Sequence, residues 1–142
     1  MVIWSYSQWV VPYKLDYLYK KYPARMFFAE SCREEFTRDW HIHVDNYCNY
    51  IPGYCGGISL GDARNLGTLC KRGLNLEEYP ILKALTLGLK SLYKLAVEKF
   101  NYREAAEGYT SKCHLCVDIR RHLLQFAEFK ELQPLEFYTQ LK

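Results

Sequence analysis

The sequence predicts an α+β fold, a short β-hairpin packed against several helices. Two observations carry that expectation. Residues 41–44 alternate polar and apolar side chains, and the turn formers Asp45, Asn46 and Asn49 follow before Tyr50 and Ile51, which reads as a hairpin. From residue 78 onward apolar residues recur at helical spacing instead. No internal repeat or low-complexity stretch interrupts the chain, and 142 residues suit one compact domain behind a short leading segment.

The elements follow in order. Residues 1–24 form an N-terminal helical segment, in which Leu15, Leu18, Tyr19 and Tyr22 share a face and Pro23 ends the run. Residues 25–29 (RMFFA) read as a short strand, and residues 34–39 as a brief helical turn. After the hairpin, Pro52-Gly53, Gly56-Gly57 and Gly61-Asp62 punctuate a loop. Residues 78–100 read as one helix, with Ile81, Leu82, Leu85, Leu89, Leu92, Tyr93, Ala96 and Phe100 inward. Leu87 and Leu95 interrupt its polar face, which suggests a covering element. A helix over residues 114–128 turns Ile119, Leu123, Phe126 and Ala127 inward, and Pro134 opens a last short helix carrying Leu135, Tyr138 and Leu141.

Composition narrows the function classes. Aromatics reach 16%, including 13 tyrosines, which argues against disorder. A formal net charge of +3 with mixed signs and no Lys/Arg run gives no nucleic-acid surface. The first residues lack a basic stretch followed by an apolar one, and apolar runs fall short of the roughly 18 residues that span a membrane. The expectation is a cytoplasmic protein with neither nucleic-acid nor membrane partners.

Six cysteines then need an explanation, because disulfides are rare in the cytosol. Cys113-His114-Leu115-Cys116 is a CxxC at a helix start, where two sulfurs can face one ion and the helix dipole favours thiolates. Such a pair is a metal site, a redox pair or a coincidence. The redox reading wants a preceding strand, which residues 102–112 do not offer. Cys32 follows the RMFFA run, and Cys55 follows the hairpin among small residues that let backbone approach a cluster. Together they give C-x22-C-x57-C-x2-C, with buried core thiols as the plain alternative for Cys32 and Cys55. Four thiolates suit either an iron–sulfur cluster or a structural four-cysteine zinc site serving as an interaction domain, and spacing does not separate the two metals.

The stretch ESCREEFTRDWHIHVDNYCNYIPGYCGGISLGD (30–62), joined by GYTSKCHLCVDIRRHL (108–123), resembles the C-terminal auxiliary-cluster region, twitch or SPASM-like, of radical S-adenosylmethionine enzymes. In that family one Cys precedes a short hairpin, one follows it, and a CxxC comes later before a helix. The resemblance covers residues 25–142. It implies an auxiliary iron–sulfur cluster of the [4Fe–4S] type on Cys32, Cys55, Cys113 and Cys116, and a radical S-adenosylmethionine barrel, domain or protein, as partner. Two departures stand out. The family's D-x-x-G-N turn is Asp45-Asn46-Tyr47-Cys48-Asn49 here, so Cys48 is a turn substitution or an extra ligand. The CxxxCxxC that holds the catalytic cluster is absent from these 142 residues, so the barrel is missing, on another polypeptide, or dispensed with. No radical chemistry is expected of the chain alone.

The remaining candidates are weaker. Alternation puts His41, His43 and Asp45 on one strand face, either a substrate face or a solvated one. Cys70, flanked by Lys71 and Arg72, reads as a spare exposed thiol. Arg120 and Arg121 are surface charges or offsets to cluster charge. Glu30, Asp62 and Asp118 form no acid–base pair, and no phosphate loop or nucleophile elbow occurs.

Overall fold

Tyr50 and Ile51 return along His43 and Val44, as the alternation requires, and this hairpin sits on a helical body. A computed structural model describes residues 20–37 and 43–141. Among these the chain runs α1 (Arg33–Thr37), β1 (His43–Val44), β2 (Tyr50–Ile51), α2 (Leu66–Arg72), α3 (Pro80–Leu87), α4 (Leu89–Phe100), α5 (Lys112–Leu123) and α6 (Leu135–Thr139). The strands are antiparallel with His43 opposite Ile51, so the α+β architecture of a small hairpin with several helices holds. His41 and the helix expected before residue 20 lie outside the described residues.

The core lies where α4 packs on both α3 and α5. Ile81, Leu82 and Leu85 of α3, Leu89, Leu92 and Ala96 of α4, and Leu115, Ile119 and Leu123 of α5 are buried together, at the i, i+3, i+4 spacing of amphipathic helices. Phe137 and Tyr138 of α6, with Leu141 just beyond it, close the core. Among the described residues no helix is long and apolar enough to cross a membrane.

Three sequence expectations are corrected. The RMFFA run is no strand: Pro23 opens a 3-10 turn over Ala24–Phe27, and Phe27 and Phe28 pack on the core. Just before that turn, Tyr22 forms an isolated bridge with Tyr109, the two exchanging backbone hydrogen bonds in both directions at 2.8 Å. The long helix breaks at Gly88, whose φ of 118° and ψ of 164° suit glycine far better than any residue with a Cβ. Leu87, just before the break, is 74% exposed and uncovered, whereas Leu95 packs on the core. The third is at the end of α5, which stops at Leu123, so Phe126 and Ala127 face outward.

Candidate metal centre

Each of the four cysteines is set by a different local device. Cys32 ends the segment entering α1, its carbonyl accepting from Glu35 N at 3.0 Å. Cys55 sits in a tight turn, where its N–H donates to the Pro52 carbonyl at 3.0 Å and its carbonyl accepts from Ile58 N at 3.2 Å. Cys113 lies in the first turn of α5 and Cys116 at the start of the second, the helix being capped by Ser111, whose hydroxyl accepts from His114 N at 3.1 Å. Gly57 carries the Cys55 turn against α6. Its φ is 76°, and a Cβ there would overlap the Phe137 ring and the Tyr138 hydroxyl.

The segments that carry the four thiols approach one another: Arg120 donates to the Gly56 and Cys116 carbonyls, and Lys112 pairs with Glu30 at 3.4 Å. Burial pushes the Cys32 thiol up to about 11, and charge on Cys116 and on Cys113 pushes it the same way. Burial pushes Cys55 higher still, with Cys116, Cys32 and Cys113 adding to the effect against the opposing Arg120 guanidinium. Cys113 is raised by burial and then by Cys116, while Lys112 and Arg120 pull it down. Each of the four thiols thus acts on, or is acted on by, the other three. A helix N-terminus favours thiolates, but loss of water outweighs it at Cys113. Cys113 is nevertheless exposed at its edge, Cys32 and Cys55 are partly buried, and Cys116 is buried.

Among the described residues no group of three or more His, Cys, Asp or Glu side chains is gathered to hold a metal ion as it stands. All six cysteines are free thiols. The donor set still suits a polynuclear iron–sulfur group: four thiols from three chain segments, a glycine-lined turn and two cations, Lys112 and Arg120, acting on them.

The other candidates fall elsewhere. Cys48 occupies the hairpin turn at φ 63°, the left-handed position a turn glycine would take. Cys70 is exposed on α2. Asp45 staples the hairpin turn, accepting from Tyr47 N at 2.9 Å and from Asn49 N at 2.8 Å. His43 is no solvated face: it is 7% exposed, with its ring 5.3 Å from that of Tyr54. A cleft of about 390 Å³ between Leu60, Thr68, Arg72 and Tyr79 borders none of the four thiols.

Sequence reasoning left open the role of Arg120 and missed Tyr138 and Glu131. Arg120 stands four residues after Cys116, on the same helical face, and that spacing was the available signal. Tyr138 reaches the site from α6, donating to Gly57 O at 2.5 Å, and nothing local marks it. Buried Glu131 accepts from Ile81 N at 2.8 Å, so a residue 50 positions away caps α3. Compared with family models, with curated proteins and with solved structures, the chain matches none of them.

Proposed function

We propose that this chain is an iron–sulfur module of the auxiliary-cluster kind found in radical S-adenosylmethionine enzymes, with Cys32, Cys55, Cys113 and Cys116 as ligands of one [4Fe–4S] cluster. What supports the reading is the approach of the Cys55 turn to α5, where Arg120 donates to the carbonyls of both Gly56 and Cys116, together with burial that raises three of the four thiols. The cysteine order and hairpin, which resemble that family, supply the rest. A cluster also tolerates a wider sulfur spacing than zinc, around which sulfurs at about 2.3 Å from the metal are held within roughly 4 Å of one another. When bound, such a cluster supplies one-electron transfer or a Lewis-acidic iron. The chain supplies thiolate ligands, a dry wall at Cys116, and an open edge at Cys113 toward a partner. The partner is a radical S-adenosylmethionine barrel, and free thiols throughout fit a reducing, cytoplasmic setting.

Anaerobic purification tests this directly. Brown protein with iron and acid-labile sulfide in similar amounts is the expected result. Colourless protein with stoichiometric zinc would establish the four-cysteine zinc domain in its place. Lacking CxxxCxxC, the isolated chain should release no 5′-deoxyadenosine from S-adenosylmethionine plus reductant.

A further inference from the structure

The group at this site that the ligand set leaves unexplained is the Arg120 guanidinium. It is only 3% exposed. Its Nη1 donates to the Gly56 carbonyl and to the Tyr138 hydroxyl, each at 2.9 Å, and its Nε to the Cys116 carbonyl at 3.4 Å. These acceptors are neutral, and a guanidinium does not give up its proton in proteins. The Tyr138 hydroxyl itself donates to Gly57 O at 2.5 Å, so it stays a phenol. The fold therefore holds a permanent cation in its interior, an unfavourable arrangement unless a negative charge is set beside it. Besides Tyr138, the groups whose charge acts most strongly on it are Cys116, Cys55 and Cys113.

We infer that Arg120 is the built-in countercharge of the four-thiol site, a positioning residue that clamps the Cys55 turn to α5 and makes the bound cluster easier to reduce. The inference rests on the cluster reading above. Four thiolates around a [4Fe–4S]²⁺ core carry a net charge of −2. One electron from a low-potential donor such as dithionite brings that to −3, with no bond broken and no proton moved. A fixed positive charge beside the sulfurs favours the more negative state and so raises the reduction potential.

The test is an EPR-monitored redox titration of reconstituted wild-type protein, Arg120→Lys and Arg120→Gln, with iron and sulfide measured on each. Arg120→Gln should keep its cluster but shift to a more negative midpoint by at least tenfold in the reduction equilibrium, about 59 mV for one electron. Arg120→Lys, which keeps the charge, should recover most of that shift. An unmoved midpoint in iron-loaded Arg120→Gln overturns the inference and leaves the cluster reading standing. Wild-type protein that takes up no iron overturns both. Should Arg120→Gln not fold, pulsed EPR of reduced wild type labelled with ¹⁵N-guanidino arginine decides. Nitrogen hyperfine coupling supports the countercharge role, and its absence overturns it.

Discussion

Cys113 and Cys70 are both exposed thiols, yet they predict opposite responses to the same substitution. Cys113 feels Cys116 and in turn acts on Cys32 and Cys55, so it belongs to a set, whereas Cys70 lies on α2, outside that set. Ser at Cys32, Cys55, Cys113 or Cys116 should strongly lower iron per chain and destabilise the loaded protein by more than roughly 3 kcal/mol, because loss of a metal is among the causes of the largest single-residue effects. Ser at Cys70 should stay within about 0.5 kcal/mol of wild type. Cys48→Gly tests the turn separately. Its φ of 63° is one that glycine adopts freely, so iron content should hold and stability should not fall. Metal analysis and thermal unfolding on the six variants sort these outcomes, and a Cys55→Ser protein with full iron would remove Cys55 from the ligand set. Much of this was legible in the sequence, because cysteines carry their chemistry with them and CxxC spacing at a helix start is local. The burial of His43 was not, because alternation gives a side chain's face but not what the rest of the chain lays upon it. Tyr54 comes from beyond the hairpin.

α3 and α4 show what periodicity can and cannot say about an element. The apolar residues on both sides of Gly88 keep one register, so the pattern reads straight through a position where the backbone turns away. The information lay in the glycine, not in the period. Gly88→Ala should cost about 1–3 kcal/mol through its positive φ, although a Cβ there would meet only Glu30 O at 3.8 Å. A Tm drop of several degrees follows from that figure. A wild-type Tm would show that α3 and α4 join into one helix in solution. The start of α3 depends on a distant residue. With Pro80 in the first turn and no side-chain cap from Tyr79, the buried Ile81 N–H is satisfied by the Glu131 carboxylate. Glu131→Ala leaves that donor buried and unpaired, at a cost of about 1–3 kcal/mol. Glu131→Gln keeps an acceptor in place and should cost less. Equal losses in the two, measured by urea denaturation, would show that packing and not the cap holds α3.

At the scale of the whole molecule the four thiols join parts of the chain that lie far apart in sequence. Residues 32 and 55 come from turns around the hairpin, residues 113 and 116 from a buried helix, and a metal linking them would close a long loop. The metal-free protein has the opposite problem, because it must keep these thiols protonated. Burial raises Cys32 to about 11 and Cys55 further, whereas an unfolded thiol ionises near 8.5. A group whose pKa is raised on folding stabilises the native state fully below its unfolded pKa. That stability drains away as pH rises toward the folded pKa, because the unfolded chain then holds fewer protons than the native one. Chelated protein should therefore lose Tm from about pH 8.5 upward. Tyr109, raised to about 12 by burial, adds a loss of the same sign, but only above the ordinary tyrosine range near 10. Metal-loaded protein already holds its cysteines as thiolates, so the thiol part of the loss should vanish and only the tyrosine part remain. The difference between loaded and chelated Tm should then widen between about pH 8 and pH 10, since protons compete with metal for the same sulfurs. Thermal melts of both forms across that range check it, with chelated Cys32→Ser expected to lose less than chelated wild type. A chelated wild type whose Tm is flat from about pH 8 to 10 would mean that these thiols are not held protonated by the fold, and the coupling that joins them into one site would lose its physical basis.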